Sequence, residues 1–296
     1  MPDNYKYIKV EVAERIGTIT LNRPDSLNAF TQDMLTEALN AVRELNEHPD
    51  TVFTVLTGEG RFFSAGADIR GEKIDSVAHE PMTARPTPNL AILEVCLQVK
   101  TFQPVVSDLG LSNTPSGVEL MRALIDQRKV FVLALNGPGV GGGGGWFPGI
   151  ADVVLAADST YIQVPFSSLG LVPENGGART FAQTIGVHRA NEIFMFGKKV
   201  TAQELRQWGL VAEIFPTETF HRDVKSYLKR QLSVNDGESM ILARKLQNEP
   251  LRAERMIALY DAADALTERI VDGAPARRFK AKASELEAKS KKHSKL

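Results

Sequence analysis

Residues 136–147 read Asn-Gly-Pro-Gly-Val-Gly-Gly-Gly-Gly-Gly-Trp-Phe and follow directly on an apolar run, Val130 to Leu135, that reads as a strand. Five consecutive glycines running straight into Trp146 and Phe147 are not a flexible linker. Glycine in such a place means that the backbone must approach something closely or adopt positive φ. A Walker-type phosphate loop fails, because no Gly-Lys-Ser/Thr follows, and any glycine run satisfies Gly-x-Gly-x-x-Gly trivially. Two readings stay open: backbone N–H groups at a helix start aimed at a developing anion, or close packing of a helix on its neighbours.

The rest of the chain supplies an α/β frame for that loop. Alternating apolar residues from Tyr7, with a turn at Arg15-Ile16-Gly17 and Thr18-Ile19-Thr20-Leu21 beyond it, predict a β-hairpin. Thr31 is placed to cap a helix whose stripe is Leu35, Leu39, Val42 and Leu45. Val52–Leu56 and Val153–Ala156 read as buried strands. Thr201-Ala202-Gln203-Glu204 is a capping box, with Gly209 just past the end of its short helix. From about Glu238 the pattern is helical, with Leu242, Leu246, Met256, Leu259 and Leu266 as its apolar contacts. Strands alternating with helices, then helices alone, predict an α/β core with a helical C-terminal extension. Between Gly71 and Thr114, four prolines interrupt an unpatterned apolar piece, which predicts an irregular insertion.

Composition narrows the function. The 296 residues carry 35 Lys+Arg against 36 Asp+Glu, a net charge of −1, so nothing steers the chain onto nucleic acid or an anionic membrane. The single cysteine, Cys96, allows no intrachain disulfide and no thiolate zinc cluster. The five histidines show no metal-ligand spacing, so no metal is expected. No basic start followed by an apolar core marks a secretory signal, and no run is long enough for a membrane span. The chain closes on Ser294-Lys295-Leu296, the peroxisomal address read by an import receptor.

Two further segments carry chemistry. In Gly60-Arg61-Phe62-Phe63-Ser64-Ala65-Gly66-Ala67-Asp68-Ile69, small residues after a strand permit close backbone approach. In Leu169-Gly170-Leu171-Val172-Pro173-Glu174-Asn175-Gly176-Gly177, one carboxylate sits among apolar residues and glycines. Glu174 there is either a general base with a raised pKa or an exposed loop glutamate.

In this order the three segments, with Ile19-Thr20-Leu21-Asn22-Arg23-Pro24 before them and Asp152-Val153-Val154-Leu155-Ala156-Ala157 among them, resemble the enoyl-CoA hydratase/isomerase family, the crotonases. The likeness covers roughly residues 5–70 and 117–272. It implies a crotonase-like spiral of ββα units over residues 1–200, interrupted at about 71–114. A helical region at 201–290 that makes trimers, or pairs of trimers, and a targeting tail at 291–296 would follow. It also implies an acyl-CoA substrate, no separate cofactor, and a thioester oxygen held by the backbone amides of Ala67 and Gly142, where side chains need only be small. Ala65, Gly66, Asp68, Ile69 and Phe166 would line the substrate.

The resemblance also bears on the reaction. The two glutamates by which hydratases hold water fall on Gly145 and Phe166, neither of which moves a proton. The acid of the Δ3,Δ2-enoyl-CoA isomerases falls on Glu174; dienoyl-CoA isomerases keep an acid there as well, with acidic partners at positions that here include Phe166. The expectation is a single-base isomerase of the peroxisomal matrix, with Phe166, Trp146 and Phe147 as apolar lining. The competing readings are a thioesterase of the same fold and a non-catalytic member with a binding role. Arg277, Arg278, Lys280 and Lys282 are either a solvated basic face or contacts for CoA phosphates, and Arg179 either orders the Glu174 loop or caps the next helix.

Overall fold

The computed structural model describes residues 5–68, 114–281 and Ser284. The insertion at 71–114, Ile69, Cys96, Lys282 and the tail 291–296 lie outside the described residues, apart from the backbone of Thr114. The hairpin pairs β1 (Ile8–Ala13) with β2 (Ile16–Leu21) in antiparallel register, Ala13 opposite Ile16. Its turn is therefore Glu14-Arg15, both at positive φ, one residue earlier than the glycine suggested. Positive φ at both central residues matches the twist of a two-residue hairpin loop. Gly17 lies inside β2 for another reason: a Cβ there would sit 2.4 Å from Leu45 Cδ2.

Parallel strands β3 (Phe53–Gly58), β4 (Val130–Leu135), β6 (Val153–Ala157) and β9 (Glu213–Phe215) extend the hairpin into a six-stranded sheet. Both faces of the sheet are covered, and strand periodicity sends alternate residues to two cores. Phe131, Leu133 and Leu135 of β4 enter one core with α1 (Gln32–Glu47) and α2 (Thr114–Asp126). Val130, Val132 and Ala134 enter the other with Phe220, Val224 and Leu228 of α7 (Phe220–Val234). The predicted cap is present: Thr31 Oγ1 accepts from the Met34 amide, and the whole Leu35-Leu39-Val42-Leu45 stripe is buried. A second, three-stranded sheet joins β5 (Gly139–Val140), β7 (Tyr161–Gln163) and β8 (Val200–Thr201). Between β5 and β6 the glycine run winds one short turn, α3 (Gly142–Gly145). After β7 come α4 (Gly177–Ile185), α5 (Val187–Phe194) and, beyond β8, α6 (Ala202–Gln207), which carries the full Thr201/Glu204 capping box.

The last long helix, α8 (Gly237–Val271), departs from the pattern read for it. Leu259 and Leu266 are buried, but Leu242 and Leu246 are 59% and 76% exposed. Arg244 takes the inward position instead, and residues two away on a helix point some 200° around the axis. The Arg244 guanidinium donates to Asp152 Oδ2 at 2.6 Å and to the Gln127 carbonyl, while Asn248 Nδ2 donates to Asp152 Oδ1 at 2.8 Å. Asp152 Oδ2 also accepts from the Phe131 amide at 2.7 Å, so one carboxylate fastens α8 to the central strand.

Candidate active site

Two loops meet through a parallel bridge between Ser64 and Gly139. The first leaves β3 and is held by two buried asparagines. Asn28 Nδ2 donates to the carbonyls of Glu59 (2.9 Å) and Phe62 (2.8 Å). Asn136 Oδ1 accepts from the Gly58 amide (3.0 Å) while its Nδ2 donates to the Gly60 carbonyl (2.7 Å). Buried polar side chains that fill all their bonds in this way fix a loop that packing alone would leave adjustable.

The amides along that loop can be accounted for one by one. Those of Phe63 and Ser64 go to the Pro138 carbonyl, Ala65 to Leu27, and Asp68 to Phe30. Gly66 donates to Ser64 Oγ at 3.1 Å. Ala67 is passed over, because the parallel bridge to Phe30 uses the groups on either side of it; its amide has no partner among the described residues, and the residue is exposed. Asp68 is engaged elsewhere, its carboxylate 2.9 Å from the Arg23 guanidinium, so it shapes the loop.

The glycine run answers both readings of it. Close packing dictates three of its glycines: a Cβ on Gly139, Gly143 or Gly144 would meet backbone atoms at 2.9, 2.8 and 2.5 Å. Gly141 turns the chain at φ 55°, ψ −127°. Its own amide donates to the Gln163 carbonyl, and its carbonyl receives the amides of Gly144 and Gly145. The Gly142 amide, in a buried residue, is left without a partner among the described residues. Buried backbone donors are nearly always paired, so an unpaired amide in this turn is able to donate to an acceptor. A Cβ on Gly66 would come 3.5 Å from the Gly142 nitrogen, so the free amides at 67 and 142 belong to loops in contact. Small is not enough at 142: a Cβ there would lie 2.6 Å from Trp146 Cε2, and only glycine fits.

Glu174 stands on the facing loop. It follows a 3₁₀ turn (Ser167–Leu169) and precedes two residues at positive φ, Asn175 and Gly176. The C-terminal segment backs the loop at both ends. A Cβ on Gly170 would meet the Ala274 carbonyl oxygen at 2.8 Å, and one on Gly176 the Leu259 nitrogen at 3.3 Å. The residue is half-buried, with its carboxyl set deep in the protein. Burial pushes the carboxyl up to about 7, against a smaller downward pull from its one hydrogen bond, Trp146 Nε1 donating to Oε2 at 3.2 Å. An exposed loop glutamate would keep an ordinary carboxylate acidity, so the general-base alternative is the one the surroundings favour.

The glycine run and Trp146 lie among apolar side chains. Phe166 is buried, its Cε1 3.9 Å from a Cβ built on Gly141. A Cβ on Gly145 would touch Val164 and Phe194 at 3.4–3.5 Å. Trp146 stacks on Phe30 at 5.2 Å between centroids, with Phe147 edge-on at 6.1 Å. Trp146, expected only as lining, is thus also the hydrogen-bond partner of Glu174; the signal was available in its lone N–H, which seeks an acceptor when buried. Arg179 neither caps α4, whose N-cap is Gly176, nor bonds the Glu174 carboxyl; it pairs with Glu254 of α8. Arg277 and Arg278 are held by the carbonyls of Asp272 and Ser168. Among the described residues, no three His, Cys, Asp or Glu side chains cluster as a metal site, and no helix is long and apolar enough to cross a membrane.

Among the described residues, the loops from β3 and β4 thus hold two unpaired backbone amides, and Trp146 joins the glycine turn to the Glu174 carboxyl. The sequence pattern of the enoyl-CoA hydratase/isomerase family matches residues 11–106 and 111–273, and the chain belongs to that family, whose members act on acyl-CoA thioesters. The match runs further into the 71–114 stretch than the motifs alone carried it. The chain is 34% identical over 206 residues to the Δ(3,5)-Δ(2,4)-dienoyl-CoA isomerase of Pyricularia oryzae, covering 70% of this chain and 68% of that one. It is 33% identical over 241 residues to enoyl-CoA delta isomerase 2 of Rattus norvegicus, where the match covers 80% of this chain but 54% of the rat protein. The fold superposes on an enoyl-CoA hydratase/isomerase from Pseudoalteromonas atlantica with a TM-score of 0.75 at 20% identity, covering 95% and 98% of the two chains. That likeness establishes the crotonase fold the motifs implied.

Proposed function

We propose that this chain is a Δ3,Δ2-enoyl-CoA isomerase working with one base. Glu174 removes a C2 proton from a 3-enoyl-CoA, the electrons pass into a dienolate whose thioester oxygen lies between the amides of Ala67 and Gly142, and the same carboxyl returns the proton at C4. The observation that carries this reading is the Glu174 carboxyl, bonded by the Trp146 indole and pushed up to about 7 by burial, with no other carboxylate acting on it among the described residues. A base tuned to the working pH contributes about 10²–10⁴-fold, and each preplaced donor about 2.7–4 kcal/mol. With Gly145 and Phe166 where the resemblance puts the hydratase acids, no carboxylate stands at either place to hold water.

The test is turnover of trans-3-hexenoyl-CoA, followed by the appearance of conjugated 2-enoyl-CoA, with hydration of 2-enoyl-CoA and release of free CoA assayed alongside. Isomerisation that vanishes in Glu174→Gln, with negligible hydration, supports the reading; CoA release in place of isomerisation supports a thioesterase. The Pyricularia relative favours a second reading, a dienoyl-CoA isomerase, for which a 3,5-dienoyl-CoA would be the better substrate. That chemistry would have to run with an apolar Phe166 where those enzymes carry an acid.

The Ser294-Lys295-Leu296 tail supports import into the peroxisomal matrix through the receptor that reads it. The exposed Leu242, Leu246, Ile257 and Tyr260 along α8 support assembly into trimers or hexamers, which light scattering on the purified protein measures.

A further inference from the structure

Trp146 sits between the two halves of the site. Beneath its ring is the Gly142 backbone, so close that no Cβ fits, and Phe30 stacks on the indole at 5.2 Å. At its pyrrole edge Nε1 donates to Glu174 Oε2 at 3.2 Å. We infer that Trp146 is a positioning residue that makes Glu174 a one-oxygen base, occupying Oε2 so that Oε1 alone takes and returns the proton. This deepens the single-base reading of Glu174 and rests on it.

The chemistry of the indole supports the assignment. Its N–H is a donor only and does not ionise in the working range, so it remains bonded to Oε2 whether the carboxyl is charged or neutral. The proton therefore resides on Oε1 throughout, and the carboxyl has no reason to rotate between collecting a proton at C2 and delivering it at C4. The bond is stronger to the charged carboxylate than to the neutral acid, so it restrains the upward shift that burial imposes.

Charged groups on the elements packed around Glu174 have partners of their own. On α4, Arg179 pairs with Glu254 of α8, and Arg255 of α8 donates to Asn248 Oδ1. On α2, Glu119 pairs with Arg43 and Arg122, and Asp126 with Arg252. Among the described residues, burial and the indole are what act on the Glu174 carboxyl.

Trp146 and Trp208 are the two tryptophans of the chain, so Trp208→Phe leaves Trp146 as the sole indole emitter. In that background its emission should titrate with a midpoint near 7, and Glu174→Gln should abolish the titration. Trp146→Phe keeps an aromatic ring and deletes the N–H; it should move the acid limb of kcat/KM upward by about one pH unit, a loss of about tenfold at pH 6 and of less than about twofold at pH 9. Emission that stays flat from pH 5 to 9 overturns the inference, as does an equal loss of activity at both pH values, the mark of a merely structural ring. Should Trp146→Phe fail to fold, the emission titration decides alone. Full activity in Glu174→Gln would bring down the base assignment instead, and the emission titration would still report whether the pair exists.

Discussion

In the proposed mechanism the anion half of the site works through two backbone amides, Ala67 and Gly142, and the base half through one side chain, Glu174. The first is over-determined. Asn28 and Asn136 bond four loop carbonyls and amides between them, and glycines at 139, 143 and 144 let strands and turn touch backbone to backbone. The second hangs on a loop with positive φ at Gly170, Asn175 and Gly176, backed by the C-terminal segment and bonded at its carboxyl by a single indole. A dipole must be aimed, which demands rigidity; a carboxyl that serves two carbons needs one fixed oxygen and a dry pocket. Geometry is bought with many residues, acidity with few.

Substitutions sharpen that contrast. The largest effect belongs to the base half: Glu174→Gln should lower isomerisation of trans-3-hexenoyl-CoA by about 10²–10⁴-fold with KM little changed, as steady-state kinetics would record. Gly142→Ala should cost about 10²-fold in kcat, because the methyl group collides with Trp146 and displaces the amide; a change in Trp146 emission should accompany it. In the anion half the cost is shared with folding. Asn136→Ala strands the Gly58 amide and the Gly60 carbonyl, and denaturant unfolding should show a loss of about 1–3 kcal/mol.

The base half should pay the opposite way. The carboxyl of Glu174 titrates near 7 in the folded chain against 4.5 ordinarily, so the folded state binds this proton more tightly and the strain of ionising it is fully present above pH 7. Glu174→Gln should therefore raise stability by about 1–3 kcal/mol at pH 8 and by almost nothing at pH 4, measured by urea unfolding at both values. If the gain persists at pH 4, the buried charge is not its source. The smallest effect is expected of Arg179→Ala, which removes a half-exposed pair with Glu254 and should cost less than about 1 kcal/mol.

Much of this was legible in the residues because it is local. The Thr31 cap, the Thr201/Glu204 capping box and the strand at Val130–Leu135 follow from spacing and composition alone. The glycine run marked a backbone site, although the run could not say which glycines served packing and which amide stayed free. That split depends on Ser64, Gln163 and Trp146, which only the tertiary contacts bring to bear. The hairpin turn was displaced because Glu14 and Arg15 take positive φ without being glycine, while Gly17 yields space to Leu45. On α8, periodicity marked Leu242 and Leu246 as inward, but the buried partnership of Arg244 with Asp152 rotates that face to the outside. Glu174 could be found by resemblance; its indole partner, 28 positions earlier, could not be found by spacing.

The backing of Gly170 by Ala274 and of Gly176 by Leu259 also sets a timetable. A ribosome delivers residues 258–274 some eighty to a hundred positions after the loop they support, and both oxyanion donors well before either. Until that last segment docks, the loop that carries Glu174 lacks its backing at Gly170 and Gly176. On the proposed mechanism the nascent chain would acquire its anion cradle early and its base late, and a half-made molecule would hold the means to grip a thioester oxygen before it could move a proton.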